Sequence, residues 1–491
     1  MRALLVTSVG ITCAAALTLP LAAPALSAPP AHSASALPPE SPGAGPPSVR
    51  AAALPAAGSA GSTQSLPLEP LAAPSDRSMG PATAGQGLER RTARPFSLVG
   101  VVWDDAEAEL HGTVQVRTRA TGSASWSDWQ DVETHNAEHA ADLGSDERSS
   151  GAVRGATAPL WVGASDGVEV RVRPEPADPQ DRSEAAPLPE GLRLELVDPG
   201  PDPAPEAAAE TAPEPARAAP VGRTATTAAF ALNPSPPTTT PAVVPEVLTA
   251  EAEAASAVNA ELAPLGASVI PALTKAETEE AANVAPGAKP YIGPRPGIIT
   301  RKGWGADEKL RERQFAYTKT VKAAFVHHSA TGNNYTCKQA PSVLRSIYRY
   351  HVKSSGWRDF GYNFAVDKCG NIYEGRAGGV TKAVLGAHTL GFNTNTMGIA
   401  VLGSYSSTNP PAAAVTAVSK LTAWKLGLFG ANPKGKVTLT SGGSNKYKAG
   451  AKVKMNVISG HRDGFATECP GARLYKKLGK ARTSSAKLQG R

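Results

Sequence analysis

Hydrophobic and polar positions change rhythm several times along this chain. Between about residues 93 and 200, short apolar runs recur between turn residues: FSLVGVVW, GTVQVRTRA, SWSDWQDV, APLWVGASDGVEVRVRP and GLRLELVDPG. Several alternate with period two. In VQVRTR, Val114 and Val116 share one face, while Arg117 and Arg119 take the other phase. One buried side per strand and frequent turns predict an all-β sandwich over residues 93–200. The polar stretch 133–158 predicts a long loop within it.

The last 200 residues mix the two periods. AAFVHHS reads as a buried strand that ends in polar residues. PSVLRSIYRYHVKSSG reads as an amphipathic helix, with Pro341 near its start and Val343, Leu344, Ile347, Tyr348 and His351 at helical spacing. GYNFAVD and IYEGR flank the turn KCGN as a hairpin, and MGIAVLGSY is a further strand. A second helix, PAAAVTAVSKLTAWKLGLFG, closes at Gly430, and a lysine-rich insertion precedes His461. These elements predict an α/β domain over residues 291–485, a mixed sheet with flanking helices.

The remaining stretches lack either period. A chain of 491 residues exceeds one core, so two or more domains are expected. Residues 1–28 combine Arg2, an apolar run and small residues, the pattern of a secretory signal peptide whose end could fall as late as residue 36. Secretion to the medium or cell wall follows. No later segment holds the roughly 18 consecutive apolar residues of a membrane helix, so no transmembrane segment is expected. Residues 29–92 are Ala, Pro, Gly and Ser with few large apolar residues and predict disorder. Residues 201–290, again Pro/Ala/Glu-rich, predict a linker with transient helix.

Charge divides the chain. Residues 291–491 carry 32 Lys and Arg against 8 Asp and Glu, a balance of +24, whereas the rest carries 18 against 35, a balance of −17. A basic module favours a polyanion, such as an anionic wall polymer or a membrane surface outside the cell. Nucleic acid, the generic alternative, is not expected. In the β domain, Trp126 and Trp129 would either stack on sugar rings or pack in the core.

Candidate chemistry concentrates in three residues. AFVHHSAT and SGHRDGFATECPG supply a strand histidine, His461 and Cys469. Two imidazoles and one thiolate are the ligand count of a catalytic zinc, which keeps its fourth position for water. Adjacent residues of a strand point to opposite faces, so His327 and His328 compete for the metal and the pattern does not choose. Of four cysteines, Cys13 leaves with the signal and Cys469 goes to zinc. Cys337 and Cys369 remain, and export favours a disulfide between them over two free thiols.

The motifs IITRKGWGADE, FVHHSAT, GWRDFGYNFAVDKCGNIYEGRAGG, GAHTLGFNTNTMGIAVLG and GHRDGFATECPGARLY occur in order over residues 296–475. This set resembles the peptidoglycan recognition protein and type 2 N-acetylmuramoyl-L-alanine amidase family. The resemblance implies a mixed sheet with a zinc site in a groove for the muropeptide stem. It selects His327 over His328 and pairs it with His461 and Cys469 around one zinc per chain. It also implies that Tyr362 in GYNF acts beside the metal, and that Thr467 and His388 belong to the catalytic surroundings. Arg376 and Asn393 become candidates to hold a peptide carboxylate or glycan, and His351 is a packed or supporting histidine. MGIAVLG lacks the Glu that some relatives carry there as general base, so the proton carrier is open among Tyr362, His388 and a water past Thr467.

The expected reaction is hydrolysis of the amide joining the lactyl group of N-acetylmuramic acid to L-Ala in peptidoglycan. Two other classes compete: a recognition protein that binds peptidoglycan without cleaving it, and a polyanion binder. The thiolate Cys469 speaks against the first. The joint presence of His327, His461 and Cys469 speaks against the second.

Overall fold

The structure, a computed structural model, describes residues 61–71, 85–134, 136–176, 186–203, 247–283 and 290–491. The expected signal peptide, with Cys13, lies outside the described residues.

The first domain is all-β. Its strands are β1 (Ser62–Pro67), β2 (Glu69–Pro70), β3 (Gln86–Trp103), β4 (Gly112–Ala120), β5 (Gln130–Val132), β6 (Gly155–Ala156), β7 (Leu160–Pro174) and β8 (Arg193–Asp198). They hydrogen-bond in the order β1-β8-β3-β7-β4-β5, with β2 and β6 also on β3. Register shifts along β3 and β7 bend these long strands. The domain starts earlier than residue 93: β1 and the first half of β3 fall in the stretch expected to be disordered. Leu66 and Leu68 are too few to register as a strand pattern, but β8 supplies a full antiparallel partner from Ser62↔Asp198 to Pro67↔Arg193.

Trp126 and Trp129 are neither core residues nor free platforms. Arg90 and Arg119 lie over the Trp126 ring, and Arg171 and Arg117 lie over Trp129, at 4.0 Å and 4.7 Å. Cation–π contact with the arginine row occupies both rings.

The second domain begins before residue 291. Helix α1 (Ala250–Ala257), strand β9 (Val269–Ile270) and helix α2 (Lys275–Ala281) precede β10 (Ile298–Ile299) and α3 (Arg301–Trp304). The rest follows as β11 (Ala323–His328), α4 (Ala340–Arg349), β12 (Phe364–Val366), β13 (Ile372–Glu374), β14 (Thr396–Val401), α5 (Ala412–Leu428), β15 (Lys436–Thr440), β16 (Lys452–Asn456), β17 (Ile458–Gly460), α6 (Ala472–Tyr475) and α7 (Leu478–Gln489). Thus part of the expected 201–290 linker is structured. β9 pairs antiparallel with β10, and Asn259 Nδ2 donates to the buried Glu374 Oε1 at 2.9 Å. Thr249 and Thr274 cap α1 and α2, local signals that low apolar content masks.

The main sheet runs β17-β11-β14-β12-β13-β10-β9, with β11 parallel to both β14 and β17. Every residue of β11 is buried, as a central strand requires. The lysine-rich insertion is the separate hairpin β15–β16. Cys337 and Cys369 are bonded, with Cα atoms 6.2 Å apart.

Alternation along β3 joins the two domains. Val99, Val101 and Trp103 face the first domain's own core, while Leu98 and Val102 join Val197 of β8 against Val343, Ile347 and Tyr350 of the α4 helix and its last turn. Gly100 gives Tyr350 room, because a Cβ there would collide with its ring. The Tyr350 hydroxyl donates to Thr157 O at 3.1 Å. Each buried aliphatic side chain contributes roughly 1.5–3 kcal/mol. The exposed-side ion pair Arg345–Asp202 adds no more than about 1 kcal/mol. Apolar packing therefore dominates the junction.

Candidate metal centre

The period-two rule settles the adjacent histidines. Ala323, Phe325 and His327 share one face of β11, and His328 turns to the other, where its Nδ1 accepts from Tyr405 N at 3.3 Å. His327 is the penultimate residue of β11, and His461 follows directly on β17. Since the two strands are parallel neighbours, both imidazoles emerge at the same sheet edge, the carboxyl end, where open α/β sheets collect ligands. Cys469 returns to that edge, its N–H donating to Thr467 Oγ1 at 3.1 Å.

A fourth donor stands with these three. His139, from the 133–158 loop of the first domain, places Nε2 3.2 Å from His461 Nδ1 and 3.5 Å from Cys469 Sγ. His327 Nδ1 lies 3.7 Å from the same sulfur, and all four donor atoms fall within 4.8 Å of one another. A protein side chain thus stands where the sequence predicts an open fourth position.

The donor set fits zinc. Bonds of about 2.0–2.1 Å to nitrogen and 2.3 Å to sulfur imply tetrahedral edges of about 3.3 Å for N···N and 3.6 Å for N···S. The three edges at 3.2, 3.5 and 3.7 Å agree with these values, and the cluster as a whole, spanning up to 4.8 Å, would tighten around an ion. Burial, before the mutual repulsion of the cluster, drives His327 and His461 well below the ordinary histidine pKa and brings His139 down to about 3. Neutral imidazoles are the ligating form. Burial likewise pushes the Cys469 thiol well above its usual range, so the thiolate needs a cation beside it.

Supporting residues orient His327. Thr389 Oγ1 lies 3.4 Å from His327 Nε2 and 3.0 Å from His388 Nδ1. His388 thus meets His327 edge to face, with ring centroids 5.4 Å apart, and is not a member of the four-donor cluster. Gly398 of β14 admits it, because a Cβ would meet the His388 ring. The Tyr362 ring sits 5.2 Å from His327 and 5.9 Å from His139. Burial, then Cys469 and Glu138, holds its phenol far above the ordinary tyrosine pKa, so it is a proton-bearing donor. His351 is packed: it stacks on Trp357 at 4.4 Å and its Nδ1 accepts from Gly361 N at 3.2 Å.

The other sequence candidates all face the loop that carries His139. Arg376 is gripped by both oxygens of Glu147 at 2.8 Å each. Asn393 Nδ2 donates to Asp142 Oδ1 at 2.7 Å and to Ala140 O at 2.8 Å. Thr467 Oγ1 donates to Glu138 Oε1 at 2.6 Å. Burial raises the Glu147 pKa, but the Arg376 charge and its hydrogen bonds outweigh it and hold the carboxyl below its ordinary range. Burial wins at Asp142, whose pKa is raised despite bonds from Asn393, Gly391 and Thr394.

Sequence reasoning missed His139, Glu138, Asp142 and Glu147. The one sign in NAEHAADLGSDE is a histidine among acidic residues in a segment too polar to bury itself.

A mixed sheet with a buried His/Cys constellation at the carboxyl ends of neighbouring strands defines an α/β domain with a candidate metal site. Residues 317–472 match the family described as N-acetylmuramoyl-L-alanine amidase, and residues 51–227 match Rv3811 N-terminal galactose-binding domain-like. The peptidoglycan-recognition protein SC2 of Drosophila melanogaster is 30% identical over 183 residues, covering 37% of this chain and 84% of that protein. A human N-acetylmuramoyl-L-alanine amidase is 31% identical over 187 residues, 37% of this chain but 28% of that protein. Among solved structures, Drosophila PGRP-LB is 25% identical with a TM-score of 0.29, covering 37% of this chain and 91% of that one. Peptidoglycan recognition protein-LE in complex with tracheal cytotoxin is 28% identical with a TM-score of 0.30, covering 37% and 92%. The chain belongs to the peptidoglycan-recognition protein and N-acetylmuramoyl-L-alanine amidase family through its C-terminal domain, with a galactose-binding-like domain before it.

Proposed function

We propose that the chain is a secreted, zinc-dependent N-acetylmuramoyl-L-alanine amidase that cleaves the lactyl–L-Ala amide of peptidoglycan at the cell wall. The observation that carries this reading is the convergence of His327 Nδ1, His461 Nδ1 and Cys469 Sγ beside the Tyr362 ring.

His327, His461 and Cys469 would hold one zinc, with Thr389 and His388 fixing the His327 ring. Zinc there supplies Lewis acidity, polarising the amide carbonyl and making water acidic enough to attack near neutral pH. Tyr362 donates its hydroxyl proton in a hydrogen bond to the oxyanion that develops on the carbonyl. The proton released by the attacking water passes to the departing L-Ala amine, relayed through Tyr362 or through water held at Thr467. Arg376 and Asn393 offer paired donors for a stem-peptide carboxylate, the same partners they now find in Glu147 and Asp142. The +24 balance of the domain supports adhesion to anionic wall polymers.

A second reading keeps peptidoglycan binding without hydrolysis. It draws on His139, which stands where water would have to sit. Digestion of purified peptidoglycan with and without chelator, by the native chain and by His139→Ala, separates the two. New L-Ala amino termini that vanish with chelator support the amidase. Metal-loaded protein that yields none in either form would leave the recognition protein.

A further inference from the structure

We infer that His139 is a fourth protein ligand of the zinc and that its loop occupies the muropeptide groove, so the chain folds as a self-inhibited hydrolase; this rests on the zinc amidase reading above. Four observations carry it.

First, the geometry around His139 Nε2 is that of a ligand. Its 3.2 Å and 3.5 Å separations from His461 Nδ1 and Cys469 Sγ agree with the edges of a tetrahedral zinc site. Four protein ligands make a closed site, the arrangement of structural zinc, whereas hydrolysis requires a position for water and substrate.

Second, the space beside the cluster is nearly gone. The cavity bounded by His139, Thr467 and Cys469 measures about 10 Å³, room for at most one water. A peptide amide does not fit with the loop in place.

Third, the loop satisfies the groove's polar groups one by one. Glu138 accepts from Thr467, and its backbone carbonyl accepts from Leu390 N at 2.9 Å. Asp142 accepts from Asn393 and from Gly391 N at 2.8 Å. Glu147 forks onto Arg376 and accepts from Arg358 N at 3.1 Å. Three carboxylates on one short loop thus occupy the donors that an acidic stem peptide would use. A larger cleft of about 440 Å³ remains beside Asp142, Glu147, Arg376 and Asn393, a place where an incoming ligand could begin to displace the loop.

Fourth, the loop is not carried by a wandering domain. The β3 and β8 face packed on α4 fixes the first domain against the second, so the loop is presented at high effective concentration. Activation therefore requires the loop to leave while both domains stay docked.

The activity of a site that is open only part of the time falls in proportion to the open fraction. His139→Ala in the full-length chain should raise muropeptide hydrolysis by about tenfold or more, and Asp142→Ala/Glu147→Ala should do the same by loosening the anchors. The direct readout uses cobalt(II) in place of zinc. Replacing His139 by Ala should change the visible ligand-field spectrum, as one imidazole gives way to solvent, and weaken metal retention against a chelator. Identical cobalt spectra with unchanged hydrolysis in His139→Ala and in the double variant would overturn the closure and leave the amidase reading standing. Failure of every variant to take up cobalt or zinc would remove both readings. If His139→Ala does not fold, the double variant, with all four donors intact, decides alone: faster hydrolysis supports the closure, and an unchanged rate refutes it.

Discussion

His139 Nε2 and His461 Nδ1 stand 3.2 Å apart although 322 positions separate them in the chain. One belongs to a polar loop of a β domain and the other to the end of a buried strand. Their meeting makes the candidate metal centre a property of both domains, and several expectations about it can be measured.

The chain should bind one zinc, and Cys469→Ser should weaken that binding and abolish hydrolysis. The thiolate contributes the strongest charge of the set, while three imidazoles remain to hold the ion loosely. Metal analysis after dialysis against a graded chelator reads the first effect, and circular dichroism should show the fold retained. A metal-free protein with full activity would contradict the whole scheme.

Tyr362→Phe should lower kcat by roughly 10²–10³-fold and leave muropeptide affinity nearly unchanged, if its hydroxyl serves charge present only in the transition state. The comparison is best made against a parent with the same loop state. A kcat within about twofold of that parent, with zinc still bound, would return Tyr362 to a packing role.

Glu147→Ala should free the loop more than it unfolds the protein. With the loop held in place, leaving Arg376 buried and unpaired costs about 3–5 kcal/mol, so detachment and hydration of the guanidinium become the cheaper outcome. Limited proteolysis should cut within residues 136–147 faster than in the parent, while thermal unfolding moves little. Equal cutting rates would show that the ion pair does not anchor the loop.

Replacing Cys337 and Cys369 by Ala should cost on the order of 3–4 kcal/mol by loosening a 32-residue closure of the unfolded chain. In a domain of this size that corresponds to a Tm roughly 6–16 °C lower. Calorimetry of oxidised protein against the double variant measures it, and a shift under about 2 °C would deny the disulfide a stabilising role.

Glu374 gives a pH signature. Burial, against hydrogen bonds from Asn259 and the charge of Arg301, raises its carboxyl to about 7. Between the ordinary carboxyl value near 4.5 and 7 the folded chain holds more protons than the unfolded one, so this group's stabilisation is complete at low pH and fades as pH rises to 7. Gln removes the titration. The stability of Glu374→Gln relative to the parent should therefore climb from pH 4.5 to 7 and level off above, whatever its constant offset. A difference that stays flat over that window would contradict the raised value.

Much of the second domain is legible in the sequence because its elements carry strong local periods. The all-apolar AAFV of β11, the helical spacing from Val343 to Tyr348 and the turn KCGN each point to one structure. The pair His327 and His328 shows the limit. Alternation says they diverge, but which one faces the metal depends on the face that Phe325 packs, a tertiary fact. The β1 strand escapes notice, and the capped helices α1 and α2 read as no more than transient helix, because partners far along the chain stabilise them. His139 is the extreme case. Nothing periodic marks its loop, whose conformation is set by Arg376, Asn393 and Thr467, more than 200 positions away.

The pairing of β9 with β10 bears on how the protein can be cut. A fragment beginning at residue 291, where composition suggests a domain starts, would lack Ile270, which is fully buried, and Asn259, which reaches Glu374. It would bare the backbone edge of β10 and, without the first domain, the Val343–Ile347 face of α4. Unpaired strand edges beside apolar surface recruit one another. Excised in that way, the C-terminal half would self-associate before it could act on anything, and a soluble portion has to keep the segment from residue 247 onward as well as something to shelter α4.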